Sequence, residues 1–224
     1  MGFITRKLTG RALDEAADRL ASQTERAIDE VIRLRSAAIA REVDEHRAER
    51  KQPVEDLARE LIYRRCRVSA ASGAATSLPA VLPGVGTAIG LASALGDAAA
   101  QLYAEVSLIL ALAHAYGLDL ADHAARRADV LAVLGIEADV LSLKADGSLK
   151  GAAANANGSE LAGEVNRGLG GQVIKRVARQ RVRTILGREL PFGVGVAIGA
   201  GSNFRTVRRV GRTAMKYFAT RRSA

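Results

Sequence analysis

The chain has 224 residues, 4% aromatic residues, no tryptophan and a formal net charge of +9 at pH 7. This length suffices for one large domain or two small ones with a sizeable buried core. The single cysteine, Cys66, excludes an internal disulfide, and no paired Cys/His spacing typical of zinc sites occurs.

The positive charge is concentrated in the last third of the chain. Residues 1–67 carry a net charge of +2, residues 68–165 a net −6 and residues 166–224 a net +13. A surface that binds a polyanion or anionic lipid is therefore expected in the C-terminal third.

The segment from Thr9 to about Lys51 predicts one long amphipathic helix, or two in series. It is dense in good helix formers and contains no proline, and no glycine after Gly10. We assign residues 1–52 to this N-terminal helix and residues 53–224 to a second, helical domain. A near-heptad apolar stripe favours packing on its own domain over a coiled-coil partner, and consists of Leu13, Ala17, Leu20, Ala27, Val31, Leu34 and Ala38.

Pro53 fits the first turn of a second helix, PVEDLARELIYRRCRV, which has acidic residues at its start. It is followed by a run of 29 residues, from Val68 to Gly96, without an ionisable side chain. The apolar helix AAAQLYAEVSLILALAHAYG then ends at Gly117, which fits a left-handed cap. Asp119 is expected to cap the helix DLADHAARRADVLAVLG.

Residues 145–160 are rich in Gly, Asn and Ser and predict a mobile surface loop. Two basic amphipathic helices follow. The apolar side of the first is expected to contain Ile174, Val177, Val182, Ile185 and Leu186, and that of the second Val207, Val210, Ala214 and Phe218. The expected fold class is all-α, with a long N-terminal amphipathic helix followed by a helical domain with two Pro/Gly-rich apolar hairpins.

The two hairpins are indicated by a repeated phrase, GVGTAIG at 84–90 and GVGVAIG at 193–199, which follow Pro83 and Pro191 within one or two residues. A dinucleotide-binding loop is not favoured, because such a loop follows a strand and opens a helix in a βαβ unit. A plain membrane span is not favoured either, because Pro79 and Pro83 cut the uncharged run well below about 20 residues. Glycines four apart favour close helix packing, either in a buried core or in a membrane-inserting hairpin. The hairpin and helix-packing residues are Pro83, Gly84, Gly86, Gly90, Pro191, Gly193, Gly195, Gly199 and Asn203.

Isolated titratable residues offer few alternatives for chemistry. Asp97 and Glu105 are eight residues apart on one helix face and could be core carboxylates paired with arginine, or could line a pocket. His114 lies in an apolar helix and is interpreted as a satisfied core histidine rather than a base.

A metal site or a reactive thiol is not favoured. Asp119, Asp122 and His123 could be drawn as a metal cluster, but a helix cap and a solvated helix face explain them better. Neighbouring arginines would lower the pKa of Cys66, yet no histidine is assignable as its partner, and an inert cysteine is favoured; these arginines are Arg64, Arg65 and Arg67. We predict no catalytic residue, metal or cofactor.

Several phrases, in this order, resemble the EcsC family over roughly residues 55–220. They are LPGVGTAIG, GD with Gln101 following, AHAYGLDL, and LPFGVGVAIGAGSN running into a helix that ends MKYFATRR. Gly193, Gly195, Gly199 and Asn203 match the closing P-x-G-x-G-x-x-x-G-x-G-x-N pattern. The C-terminal part is also similar to the membrane-associated helical tail domain of some bacterial GTPases, although no GTPase motif is present. The resemblance implies a bacterial cytoplasmic or membrane-associated protein, a transporter neighbourhood and no defined reaction.

The expected function is therefore non-enzymatic docking on the cytoplasmic face of a membrane, with a membrane transporter as a candidate protein partner. The first residues lack the apolar core of a signal peptide. The residues expected to bind anionic lipid are Lys175, Arg176, Arg179, Arg183, Arg205, Arg208, Arg209 and Arg212. The simpler alternative is that these cations form a solvated face or pair with the acidic middle of the chain.

Two other functions stay open. A pI near 10.3 permits nucleic-acid binding, although no helix-turn-helix, zinc finger or RNA-binding aromatic motif is recognisable. The chain could also be an enzyme or a binding protein with a hydrophobic ligand pocket.

Overall fold

The computed structural model describes residues 10–76, 87–144, 149–150, 170–187 and 195–222. Within these ranges the fold is all-α, as the sequence predicts. Between α4 and α5, two residues of β1 (Ser142–Leu143) pair antiparallel with two of β2 (Leu149–Lys150). The helices are α1 (Gly10–Arg50), α2 (Val54–Thr76), α3 (Thr87–Ala115), α4 (His123–Glu137), α5 (Gly170–Gly187) and α6 (Gly195–Arg222).

Helix α3 lies at the centre of the bundle, where it packs against α1, α2, α4 and α6. Every side chain from Val106 to Ala113 is buried, including that of Ser107. A helix that is apolar on all sides is stable only when other helices surround it. The run VSLILALA therefore accounts for the central position of α3.

Helix α1 is one uninterrupted helix, and its buried positions repeat every eleven residues rather than every seven. The two main rows are Ala17, Ile28 and Ile39, and Ala21, Ile32 and Val43. Eleven residues in three turns correspond to about 3.67 residues per turn, so a near-heptad stripe drifts off the buried face. The prediction for Leu34 is accordingly wrong, because this residue is 56% exposed.

The junction between α3 and α4 confirms one predicted cap and corrects another. Gly117 has φ +90°, its N–H donates to the oxygen of His114 at 2.9 Å, and Leu118 N–H donates to that of Ala113 at 3.0 Å, which is a Schellman cap. The N-cap of α4 is Asp122, not Asp119, because Asp122 accepts from the N–H of Ala125 at 3.0 Å. Asp119 instead accepts from Ala121 N–H at 2.9 Å within the preceding turn.

The uncharged run is largely helical, because α2 continues to Thr76 and α3 begins at Thr87. Helix α6 begins at Gly195, so both glycine phrases lead into a helix at nearly the same position of the phrase. The predicted proline turn at 77–86 lies outside the described residues, as do 145–148 and 151–160 of the predicted surface loop. Leu149, within that predicted loop, is buried.

Candidate anion-binding surface

Helix α6 has an apolar face and a basic face. Its buried side contains the residues that the sequence predicts, Val207, Val210, Ala214 and Phe218, together with Tyr217. The opposite side carries four exposed cations, Arg205, Arg208, Arg212 and Lys216. Spacings of three and four residues keep these positions on one face of a helix, so α6 presents a continuous basic stripe.

A glycine brings α2 close to α6. A Cβ atom at Gly211 would lie 2.6 Å from Cγ1 of Ile62, so no larger residue fits there unless Ile62 moves. The thiol of Cys66 donates to the carbonyl oxygen of Phe204 at 3.6 Å. Because the later residue of α2 meets the earlier residue of α6, the two helices run antiparallel. Sequence reasoning missed Gly211, which stands outside both glycine phrases; its signal is a single glycine on an apolar helix face.

Helix α2, which packs against α6, adds an aromatic residue and a cation on its own exposed side. Tyr63 is 58% exposed, and the guanidinium of Arg67, also exposed, lies 6.0 Å from the centre of its ring. We call Arg67, Arg205, Arg208, Arg212 and Lys216 the α2/α6 basic surface. Among the described residues, none of these five cations has an acidic partner.

Arg209, one of the predicted lipid-binding residues, is engaged elsewhere. Its Nε donates to one carboxylate oxygen of Glu137 in α4, and the hydroxyl of Thr213 donates to the other. The side chain of Glu137 is 11% exposed, so this pair ties α6 to α4. Part of the C-terminal positive charge thus pairs with the acidic middle of the chain, as the simpler alternative expected.

The predicted cations of α5 belong to a different region. Lys175, Arg176 and Arg179 are exposed, on the side opposite the buried Val173 and Val177. Helix α5 packs on α1 and α4, whereas α6 packs on α2, α3 and α4. The eight predicted residues therefore lie on two helices with largely different neighbours. The side chains of Arg183, Val182, Ile185 and Leu186 lie outside the described part of α5.

Glu105 is a core carboxylate paired with an arginine, which is the first of the two interpretations given for Asp97 and Glu105. It is buried, forms an ion pair with Arg181 of α5, and accepts from Nε2 of Gln101 at 3.0 Å. The side chain of Asp97 lies outside the described residues.

A second buried carboxylate, which sequence reasoning missed, ties α4 to the end of α6. Asp129 accepts from the hydroxyl of Tyr217 at 2.9 Å and pairs with Arg221. Its other oxygen lies 2.7 Å from Nη1 of Arg126, an ion contact that is not aligned as a hydrogen bond. Burial raises the pKa of Asp129, while Arg126 and Arg221 act in the opposite direction. A single carboxylate in the apolar run ADVLAVLG was the available signal.

Cys66 is buried, and the expectation that its arginine neighbours lower its pKa is wrong. Burial raises the pKa of the thiol, and the attraction of Arg208 offsets this only in part. The flanking Arg64 and Arg67 are exposed to solvent, where water screens their charges.

His114 joins α3 to α1. Its Nε2 lies 2.9 Å from Oδ1 of Asp44, and Arg47 donates to the oxygen of Ala115 at 2.7 Å, at the end of α3. In the part of the chain that the structure describes, no three His, Cys, Asp or Glu side chains come together as metal ligands do.

The predicted hairpin contacts fall outside what the structure describes. Pro83, Gly84, Gly86, Pro191 and Gly193 are outside the described residues. The helices α3 and α6 include Gly90, Gly195, Gly199 and Asn203. The structure does not describe the contacts of these four residues, so their role in helix packing stays a prediction.

None of the described helices is long and apolar enough to cross a membrane. No family model, curated protein or solved structure matches the chain. The resemblance to the EcsC family stays a prediction that rests on its quoted phrases.

Proposed function

We propose that this is a non-enzymatic helical protein that docks on an anionic membrane surface, on the cytoplasmic face, through the α2/α6 basic surface. The supporting observation is the group of five exposed cations without acidic partners among the described residues. A basic residue near an anionic leaflet contributes about 1 kcal/mol. The exposed Tyr63 fits this role because tyrosine is enriched at membrane–water interfaces.

The apolar hairpins are proposed to retain the protein once charge has brought it to the membrane. Apolar burial is not screened by salt, so this contribution is separable from the first. The resemblance to the EcsC family adds a membrane transporter as a proposed partner.

Flotation with vesicles tests the proposal. Wild-type protein should float with anionic phosphatidylserine-containing vesicles and not with purely neutral phosphatidylcholine vesicles. Binding should weaken steeply towards about 1 M salt, where the Debye length is about 3 Å. A fraction that resists salt after binding would measure the contribution of the hairpins.

A triple charge reversal, Arg205→Glu, Arg208→Glu and Arg212→Glu, should abolish most of the charge-dependent flotation. Arg209 is kept because its loss would also break the pair with Glu137. Circular dichroism establishes that the variant folds. If wild-type protein floats with neither vesicle and instead binds one duplex sequence far more tightly than another, the protein is a nucleic-acid-binding protein and the proposal is wrong.

A further inference from the structure

A groove with an apolar floor opens between α1, α2 and α3, apart from the α2/α6 basic surface. Its cavity volume is about 110 Å³. Since a cavity of about 10–15 Å³ holds one water, the groove admits a ligand segment of several heavy atoms. The floor consists of buried side chains from all three helices, Ile39, Val43, Leu61, Leu108 and Ala111.

The rim of the groove is charged, and its charges do not pair with one another. It contains Arg64 and Arg65 of α2 and Glu42 of α1. Neither arginine forms a hydrogen bond or an ion pair with another described residue. Two guanidinium groups and one carboxylate leave the rim with a net positive charge.

Arg65 is the more informative of the two arginines because it is partly buried. Burial lowers its pKa, which the attraction of Glu42 only partly offsets and the nearby Arg35 reinforces. A partly desolvated guanidinium without a bonded anion is unfavourable. An anion at this rim would supply the missing partner, and a guanidinium binds a carboxylate through two parallel hydrogen bonds.

Val68 extends the apolar floor of the groove toward solvent. Val68 is 62% exposed and lines the same groove as Arg65. A ligand that lies along Leu61 and Val68 would therefore have apolar contacts behind its anionic end. A purely inorganic anion would leave these contacts unused, and an uncharged chain would leave Arg65 without a partner.

We infer that this groove binds a single-chain carboxylate of the fatty-acid class, with the carboxylate on Arg65 and the first carbons of the chain on the apolar floor. The inference does not depend on membrane docking, because none of the groove residues belongs to the α2/α6 basic surface.

Titration of the full-length protein with octanoate, followed by amide chemical shifts, tests this site. Octanoate should give saturable shifts that centre on the groove segments of α1, α2 and α3. Arg65→Gln should weaken octanoate binding about tenfold or more, because hydrogen bonds between charged groups are among the stronger ones. The same variant should bind octanol as wild type does, because octanol has no charge for Arg65 to pair with. Octylammonium, with the opposite charge, should not bind.

Val68→Glu provides a second variant at an exposed position, where folding is not at risk. The added carboxylate should compete for Arg65, so Val68→Glu should weaken octanoate binding about tenfold more than it weakens octanol binding, which loses only the apolar contact with Val68. The triple reversal on α6 serves as the matched control and should bind octanoate as wild type does, while Arg65→Gln should float with anionic vesicles as wild type does. The inference is overturned if octanoate gives no saturable shifts, or if Arg65→Gln binds it as tightly as wild type.

Discussion

At the scale of single residues, Asp129 shows what a buried charge requires. Its carboxylate accepts from the hydroxyl of Tyr217 and forms ion pairs with Arg126 and Arg221, so its charge is balanced only while both arginines are present. Asp129→Asn keeps the shape but removes the charge, which leaves two guanidinium groups without their counter-charge. Breaking a buried ion pair from one side costs about 3–5 kcal/mol.

Urea unfolding followed by circular dichroism measures this loss. The matched control is Asp56→Asn, which breaks the exposed pair with Arg59 and should change the free energy of unfolding by about 0–1 kcal/mol. Equal losses in the two variants would show that the Asp129 cluster contributes no more than a surface pair.

Cys66 leads to a prediction about pH, because its pKa is raised above the ordinary value of 9.0 by burial. The folded protein therefore holds the thiol proton more tightly than the unfolded chain does, and its stability falls as the pH rises above about 9. Alkylation of Cys66 by iodoacetamide, followed by mass spectrometry, should be slow in the folded protein up to that pH. In urea the rate should rise with the thiolate fraction of a free thiol. Comparable rates in the two states would contradict a buried, protonated thiol.

At the scale of helices, the contact between α2 and α6 depends on Gly211. Gly211→Ala places a methyl group 2.6 Å from Cγ1 of Ile62, and overpacking of this kind costs about 1–3 kcal/mol. In Gly171→Ala the new methyl group meets nothing within 4 Å. That control should be neutral or stabilising by up to about 1 kcal/mol, because alanine favours the helix.

Thermal and urea unfolding of the single variants and of a double variant with Ile62→Ala tests the contact. If the clash is the cause, Gly211→Ala should cost less in the Ile62→Ala background than in wild type. An unchanged cost in that background would remove the close approach as the explanation.

Local patterns predict the helices better than they predict which helix faces are buried. The bounds of α1 follow from helix formers between Gly10 and Pro53, and Gly117 is recognisable because a left-handed cap favours glycine. Two aspartates three residues apart precede α4, and either could cap it. Asp122 takes this role because the helix begins at His123, so that the N–H of Ala125 lies in its first turn. Leu34 is exposed because the buried face of α1 repeats at about 3.67 rather than 3.5 residues per turn. The small number of apolar positions in this segment is not enough to distinguish these two repeats from the sequence.

At the scale of the whole molecule, the distribution of charge could be predicted but its pairing could not. The net −6 of the middle segment and +13 of the C-terminal segment are evident from the sequence. The pairs that result, Arg181 with Glu105 and Arg209 with Glu137, join residues 76 and 72 positions apart. Such pairs depend on how α3, α4, α5 and α6 pack against one another. A local sequence pattern does not predict this packing. The structure therefore separates arginines that hold the fold together from arginines that face solvent.

This separation leads to a prediction about how the molecule faces a membrane. Helices α5 and α6 pack on largely different neighbours, and a rigid molecule turns one surface at a time towards a flat bilayer. If the α2/α6 basic surface is the one that docks, reversing Arg205, Arg208 and Arg212 to Glu should reduce flotation with anionic vesicles far more than reversing Lys175 and Arg176. Each reversed cation removes an attraction of about 1 kcal/mol and adds a repulsion, so the α6 variant should lose association at least tenfold. The double variant Arg67→Glu, Lys216→Glu changes the same number of charges as the α5 variant and provides the matched comparison. A larger loss from the α5 variant than from this one would mean that α5, and not the α2/α6 basic surface, faces the membrane.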